Sequence, residues 1–442
     1  MNSVRTTLYA AGIALGLLAS SPHASAQQDY KPTKENLQAR EAFRDKGFGI
    51  FLHWGLYSTF AQGEWYMTNA NIDHAEYAKA AAGFYPSRFD AAAWVSAIKA
   101  SGAGYLTITS RHHDSFSMWD TKQSDYNIVK ASPFRRDILA ELRDECRNQG
   151  LGFHIYYSIL DWHREDYYPI GRTGRGTGRK SHGSWDTYDA FMNAQLAELV
   201  RDYGAEAIWL DGEWDQDENP GFDWRYDKMY ANIHKINPAC LIGNNHHSTP
   251  HRGEDFQMFE RDVPGANTAG LSGQGISKLP LETCQTMNGM WGYKIIDQNY
   301  KSDTTLIRLL VQTAGRNANL LLNIGPEPSG ALPALALDRL AKIGSWMKVY
   351  GKTVKDGVRE GLLPPQEWGV TTQQGKTLYL HILDWKSRML SLPLTDRVQR
   401  VVSFDTQRPI PYTQTKAGLT LTFDKAPHEL NAIDYIVEIT LK

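Results

Sequence analysis

The sequence lacks paired cysteines, an excess of one charge, and any long apolar run beyond its first residues. Its three cysteines form no CxxC pair, and their odd number leaves at least one thiol free, so we interpret them as buried side chains and expect no structural metal. The formal net charge of −2 gives no reason to expect nucleic acid or an anionic membrane as a partner. No later segment has the roughly 18 consecutive apolar residues of a membrane-spanning helix, so we expect no membrane insertion.

The first 26 residues have the pattern of a secretory signal. Arg5 precedes a short apolar run, 8–19, and Ala24-Ser25-Ala26 forms an A-x-A cleavage site. No cysteine follows that site, which argues against a lipoprotein. The sequence thus predicts bacterial export, to the periplasm or the medium, with a mature chain that begins at Gln27.

Strand-like and helix-like segments then alternate up to about residue 350. The predicted strands are 47–55, 105–112, 152–160, 205–211, 240–245, 256–260, 281–286 and 319–325. The predicted helices are 89–101, 136–149, 188–203, 224–236, 304–316 and 335–350. Eight strands with helical crossovers predict a (β/α)8 TIM-like barrel, although the link between strands five and six has no evident helix. A doubly wound open sheet is the alternative, but no G-x-G-x-x-G follows the first strand.

After this alternation the pattern changes to short strands separated by Pro, Gly and Asp. These are 377–383, 400–404, 419–423 and 435–441, which predict a small C-terminal β-sandwich. We therefore divide the chain into a signal peptide, 1–26, a catalytic barrel, 27–351, and a sandwich domain, 352–442. We interpret the sandwich as structural, with an accessory role in carbohydrate binding as the alternative. One further feature is the Gly- and Arg-rich loop 171–184, which is either a mobile surface loop or a gate for substrate.

Polar and aromatic residues recur where the predicted barrel strands end, which is where barrel enzymes keep their sites. The fourth strand is the clearest case, because Trp209 and Asp211 share one face of it and the acid ends it. Histidines at strand ends could ligate zinc, but the first strand offers only His53 and no His-x-His. Cleavage of a glycosidic bond by two carboxylates is the other chemistry, and Asp211 and Glu260 lie at different strand ends.

The ordered set of strand-end motifs resembles the α-L-fucosidases of glycoside hydrolase family 29. The motifs are His53-Trp-Gly, Glu64-Trp65, Arg111-His-His-Asp114, Trp209-Leu-Asp211, Trp291-Gly-Tyr293 and Asn319-Leu-Leu-Leu-Asn-Ile-Gly-Pro326. The resemblance spans about residues 30–350, and the sandwich tail also fits that family. It implies a retaining exo-fucosidase that acts on fucosylated glycans without a cofactor or metal.

The resemblance also assigns roles to residues of this chain. It implies Asp211 as the nucleophile, and as fucose-binding residues His53, Glu64, Trp65, His112, His113, Tyr157, Trp209 and Trp291. The chemistry of these side chains agrees, because the methyl group of a 6-deoxy sugar needs an apolar wall and its hydroxyls need directed polar partners.

The proton donor is less clearly marked, and two glutamates compete for that role. Glu260 ends the sixth predicted strand, whereas Glu282 opens the seventh and so belongs to the opposite end of the barrel. We favour Glu260 as the acid/base, with Glu282 as the alternative. The competing functions are another retaining barrel glycosidase, such as a galactosidase, and an inactive fucose-binding protein; the sequence gives no oligomeric state.

Overall fold

The computed structural model describes residues 30–180 and 182–442, and its larger part is a barrel of eight parallel strands. These are β1 Phe48–Leu52, β2 Tyr105–Arg111, β3 Gly152–Ser158, β4 Ala207–Asp211, β5 Leu241–Asn244, β6 Gln257–Glu260, β7 Leu281–Thr286 and β8 Ala318–Ile324. The strands pair in the order β5-β4-β3-β2-β1-β8-β7-β6. Each of the eight predicted strands overlaps one of them, and the (β/α)8 class is confirmed. The predicted signal, 1–26, lies outside the described residues.

Nine α-helices lie in the described part of the barrel region. They are α1 Lys34–Lys46, α2 Tyr66–Asn69, α3 His74–Ala78, α4 Ala91–Ala100, α5 Ile138–Gln149, α6 Trp185–Arg201, α7 Tyr226–Ile236, α8 Asp303–Ala314 and α9 Ala334–Tyr350. Four of the crossover helices begin at a side chain that accepts a backbone N–H of the first turn, namely Asp90, Asp137, Ser184 and Ser302. Such N-caps satisfy donors that a helix cannot pair internally, so they fix where each helix begins.

The barrel has a seam between β5 and β6. These two strands form no ladder. The backbone N–H groups of Asp255 and Phe256 bridge the gap by donating to Ile242 O at 2.7 and 3.3 Å, and the N–H of Ile242 donates to Asp255 Oδ2 at 2.8 Å. Within the described residues no helix follows β5 or β6 before the next strand begins. The loops after these two strands are therefore free to fold over the mouth of the barrel.

Aromatic side chains fill the barrel interior. Trp209 and Tyr156 are register partners on β4 and β3, and their rings stack with centroids 5.5 Å apart. Lower in the barrel, a Cβ on Gly49 would lie 2.4 Å from the ring of Tyr105, so only glycine leaves room for that ring. Packed side chains thus form the floor beneath the strand ends.

The C-terminal region is a sandwich of two antiparallel sheets. Its strands are β9 Arg359–Glu360, β10 Gly369–Gln374, β11 Thr377–Ile382, β12 Met389–Leu392, β13 Val398–Ser403, β14 Tyr412–Thr415, β15 Gly418–Thr422 and β16 Tyr435–Leu441. The larger sheet has the order β13-β16-β11-β10-β9 and the smaller one β12-β15-β14. The predicted sandwich is confirmed, but the sequence indicated only β11, β13, β15 and β16.

The sandwich packs against the barrel at α8. Arg308 Nε donates to Ile433 O at 2.8 Å, and a Cβ on Gly315 would lie 2.4 Å from Val370. None of the helices in the described part of the chain is long and apolar enough to span a membrane.

Candidate active site

A cavity of about 220 Å³ opens at the carboxyl ends of the barrel strands. Its lining combines carboxylates, histidines and indole rings: Phe51, His53, Glu64, Trp65, His112, His113, Tyr156, Arg172, Trp209, Asp211, Trp214, Asn245, His247, Glu260, Leu271 and Trp291. Nine of the ten residues predicted for catalysis or fucose binding, leaving aside the alternative acid Glu282, lie here; the exception is Tyr157.

Asp211 ends β4 and is held by three donors. Tyr156 Oη donates to its Oδ2 at 2.8 Å, while Trp214 Nε1 and Asn245 Nδ2 approach its Oδ1 at 3.2 and 3.4 Å. Burial and the negative charge of Glu260 nevertheless raise the pKa of Asp211 to about 6. The donors orient the carboxylate, and the cavity leaves it accessible to a ligand.

Glu260 ends β6 and lies beside Asp211. The same Asn245 Nδ2 donates to Glu260 Oε2 at 2.9 Å, and His247 Nε2 lies 3.0 Å from that oxygen. Asn245 Nδ2 thus lies 3.4 Å from Asp211 Oδ1 and 2.9 Å from Glu260 Oε2. The distance between these two oxygens cannot exceed the sum of those two values. Burial acts to raise the pKa of Glu260, but the hydrogen bonds from His247 and Asn245 outweigh it and hold the pKa below its usual value.

Glu282, the alternative proton donor, lies in the barrel interior beneath the cavity. Its carboxyl accepts from Tyr105 Oη at 2.5 Å and from Trp209 Nε1 at 2.9 Å, and burial raises its pKa to about 7. It is the second residue of β7, as its sequence position predicted, and it does not line the cavity. Its hydrogen bonds hold the Trp209 ring in place.

Hydrogen bonds fix the tautomers of two histidines in the cavity. Asn323 Nδ2 donates to Trp291 O, so Asn323 Oδ1 accepts from His53 Nδ1, at 2.7 Å. Ser158 Oγ likewise donates to Leu160 O, so it accepts from His113 Nδ1, also at 2.7 Å. Both rings therefore present an unprotonated Nε2.

Burial keeps the cavity's buried histidines neutral. It lowers the pKa of His53 to about 3 and the pKa values of His112 and His113 well below their usual value. His113 Nε2 lies 3.7 Å from Asp211 Oδ2. Neutral imidazoles suit hydrogen bonds to sugar hydroxyls better than they suit anion binding.

Indole rings and one buried glutamate complete the floor. Trp65 stacks on Trp214 at 5.6 Å and meets His113 edge-on at 5.7 Å, and Trp291 lies 5.3 Å from His53. Glu64 accepts from the backbone N–H of Gly292 at 2.7 Å, and burial raises its pKa. The floor thus offers apolar faces beside a few directed polar atoms.

Tyr157 does not line the cavity, so the prediction that it binds fucose is wrong. Tyr157 pairs with Leu210 in the β3–β4 register, so it points outward, where its hydroxyl donates to Gln195 Oε1 at 2.8 Å. Side chains alternate along a strand, and it is the neighbouring Tyr156 that shares the inner face with Trp209.

Sequence reasoning missed the residues that follow β5. Asn245 and His247 continue the polar run Asn244-Asn-His-His247, which is the same kind of strand-end signal that marked the other strands. His247 and Arg261, which flank Glu260 in space and in sequence, both have φ values in the left-handed region, +59° and +64°. Non-glycine residues seldom adopt that conformation, and it often accompanies functional sites.

The Gly- and Arg-rich loop is held against the barrel over residues 171–180. Buried Asp215 accepts from Thr173 N at 2.8 Å and from Tyr167 Oη at 2.8 Å. Arg179 Nη1 donates to the carbonyls of Arg164 and Tyr167 at 3.0 and 2.7 Å. These bonds favour a fixed rim over a mobile surface loop, and Arg172 brings the rim into the cavity.

One cluster behind the cavity, His246, His251 and Glu254, has the spacing of metal ligands. The backbone N–H of Ser248 donates to His246 Nδ1 at 3.1 Å, which places the proton on Nε2, where it donates to Glu254 Oε1 at 3.0 Å. A neutral imidazole of this tautomer has no lone pair left for an ion. Hydrogen bonds therefore account for His246 in this cluster.

Comparison with known proteins identifies the family of the chain. An α-L-fucosidase family model matches residues 17–352. The solved α-L-fucosidase isoenzyme 1 from Paenibacillus thiaminolyticus is 31% identical with a TM-score of 0.81, and the match covers 92% of this chain and all of that one. Curated α-L-fucosidases of Dictyostelium discoideum (27% identical, covering 93% and 95%) and human plasma (28%, covering 80% and 79%) match as well. Because the family model covers most of the chain, the chain belongs to the α-L-fucosidase family of glycoside hydrolases.

Proposed function

We propose that the enzyme releases terminal L-fucose with retention of configuration, through a covalent fucosyl–Asp211 intermediate. The observation that supports this most is the Asn245 amide shared between Asp211 and Glu260, at 3.4 and 2.9 Å. The sum of those distances is shorter than the roughly 6.5–9.5 Å between carboxyl groups in inverting glycosidases, which need space for a water molecule. It is compatible with the about 5–5.5 Å of retaining ones.

The proposed reaction has two steps. Asp211 attacks the anomeric carbon while Glu260 protonates the leaving oxygen; Glu260 then takes a proton from the water that displaces the sugar from Asp211. The unprotonated Nε2 atoms of His53 and His113 accept from fucose hydroxyls. His113 Nε2 and Asp211 Oδ2 lie 3.7 Å apart, so one sugar hydroxyl between them would contact both the His113 imidazole and the nucleophile.

The anomeric configuration of the first product tests this proposal. Proton NMR of an aryl α-L-fucoside during its first minutes with the enzyme is expected to show α-L-fucose, before mutarotation produces the β anomer. Initial formation of β-L-fucose would mean direct displacement by water and would contradict the intermediate.

We also infer that the chemistry needs no metal ion and that the chain is exported. Two carboxylates and neutral histidines supply an acid, a nucleophile and hydroxyl acceptors, so dialysis against EDTA should leave turnover unchanged; loss that zinc restores would count against this.

The inference of export rests on the A-x-A site before Gln27, and N-terminal sequencing of the mature protein checks it.

A further inference from the structure

Arg172 occupies a position that the proposed reaction does not use. Its side chain lines the cavity yet is 44% exposed, whereas His53, Glu64 and His113 on the floor are almost fully buried. A fucose unit bound on the floor would therefore leave Arg172 beside the next unit of the glycan. This reasoning rests on the proposed function, because it assumes that fucose occupies the floor.

The guanidinium of Arg172 is held in place but is not hydrogen-bonded. Its own backbone N–H donates to Asp215 O at 2.7 Å, and its guanidinium carbon lies 5.1 Å from the centre of the Trp214 ring. Trp214 in turn donates to Asp211, so Arg172 is tied to the nucleophile through one indole ring. The nearest carboxylate, exposed Asp217, lies 3.7 Å away, and within the described residues no acceptor forms a hydrogen bond with the guanidinium.

A guanidinium that lies over an indole ring and forms no hydrogen bond can receive an oxyanion. Its planar fork matches a carboxylate or a sulfate with two parallel hydrogen bonds, and contact with the ring reduces the entropy lost when it binds. Arg175 on the same loop differs, since it donates to Gly171 O and pairs with exposed Glu218.

We propose that Arg172 forms a subsite for an anionic group, a carboxylate or a sulfate ester, on the unit that carries the fucose. Acidic fucosylated glycans are then better substrates than neutral ones of the same linkage. Because the charges meet at a partly exposed rim, the preference should weaken as salt is added.

Matched aryl fucosides test the subsite. The value of kcat/KM is measured for 4-nitrophenyl α-L-fucoside and for its 3-carboxy and 3-sulfo derivatives, with the wild type, Arg172→Gln, Arg172→Lys and the control Arg175→Gln. The ratio of charged to neutral substrate is expected to fall about tenfold in Arg172→Gln, in keeping with loss of a charge-assisted hydrogen bond. Arg172→Lys should keep part of the ratio and Arg175→Gln all of it. The carboxy and sulfo arms show which oxyanion is preferred.

The charged-to-neutral ratio of a variant is compared with that of the wild type on the same substrates. Differences between the leaving groups therefore cancel, and each outcome has one interpretation. An unchanged ratio in Arg172→Gln, including an equal loss on all three substrates, overturns the anionic subsite and leaves the fucosidase proposal standing. Absence of turnover of every aryl fucoside by the wild type overturns the fucosidase proposal itself.

Discussion

At the scale of single residues, Asn245 explains how two carboxylates tolerate each other in one cavity. Its amide points toward one oxygen of Asp211 and one of Glu260, and His247 adds a donor on the Glu260 side. Burial and the negative charge of Glu260 still raise the pKa of Asp211, so the pair of carboxyls holds one proton up to about pH 6. The proposed reaction needs that proton on Glu260, the acid, with Asp211 ionised, so the proton has to pass from Asp211 to Glu260 when the glycan binds.

Substitution of the two glutamates distinguishes the acid/base from the residue that supports the floor. Glu260→Ala is expected to reduce hydrolysis of natural fucosides by about 10²–10⁴-fold and to affect a nitrophenyl fucoside far less, because a good leaving group needs no proton. Glu282→Ala removes the acceptor of Tyr105 and Trp209, so it should affect both substrates alike. If Glu282→Ala shows the leaving-group pattern and Glu260→Ala does not, the role passes to Glu282.

His247 is expected to set the pH range of activity. Burial raises the pKa values of Glu260 and Asp211. The hydrogen bond from His247 lowers the pKa of Glu260, and the charge of His247 lowers the pKa of Asp211. In the wild type, kcat/KM on a natural fucoside should be bell-shaped, with its upper limb near pH 6, where the shared proton is lost. His247→Gln raises both pKa values and should move both limbs to higher pH. His251→Gln, which changes another glutamate-paired histidine of the same loop, is the control; an unmoved profile in His247→Gln would contradict the tuning.

At the scale of elements, the short motif at the end of β2 supplies side chains both to the cavity and to the packing outside the barrel. His112 and His113 face the cavity, whereas Arg111 turns outward to pair with buried Asp161 at 2.5 Å and Asp114 accepts from Tyr77 Oη at 3.0 Å. A register shift in the β2–β3 ladder between Thr109 and Arg111 precedes this turn. Buried charged pairs of this kind fix geometry more than they add stability.

The rim loop depends on one buried carboxylate, which gives a prediction about the element. Asp215→Ala removes the acceptor of Thr173 and Tyr167, so the segment 171–180 should open and trypsin should cut after Arg172 or Arg175. The wild type and Glu218→Ala, which changes only an exposed partner of Arg175, should resist. Mass spectrometry of the fragments identifies the cuts. Equal resistance of Asp215→Ala would mean that the other contacts suffice.

The sequence predicted elements with strong periodicity and predicted loops poorly. Each barrel strand is a buried run, so its position could be recognised, and strand-end acids such as Asp211 and Glu260 followed from it. Tyr157 was misplaced because choosing between neighbouring tyrosines requires the exact strand parity, which one residue of error reverses. Arg172 reaches the cavity through a loop whose path depends on tertiary hydrogen bonds, and no local pattern encodes that path.

At the scale of the whole molecule, the barrel determines which sugar fits. Packed indole and phenyl rings form the floor, and a methyl group contacts them without cost, whereas a hydroxyl buried there loses its water. We expect kcat/KM for 4-nitrophenyl α-L-galactoside, which adds only a 6-hydroxyl, to be about 10–100-fold lower than for the fucoside. Equal or faster cleavage of the galactoside would favour a galactosidase, and turnover of neither would indicate an inactive binding protein.

Rescue by azide tests most directly whether Asp211 forms the covalent bond to fucose. Asp211→Gly should fold normally and lose several orders of magnitude in rate on an activated aryl fucoside, since the nucleophile is absent. Added azide should enter the space of the missing carboxylate, restore turnover and yield β-L-fucosyl azide. If azide neither restores the rate nor gives that adduct, or if Asp211→Gly keeps the wild-type rate, Asp211 is not the nucleophile.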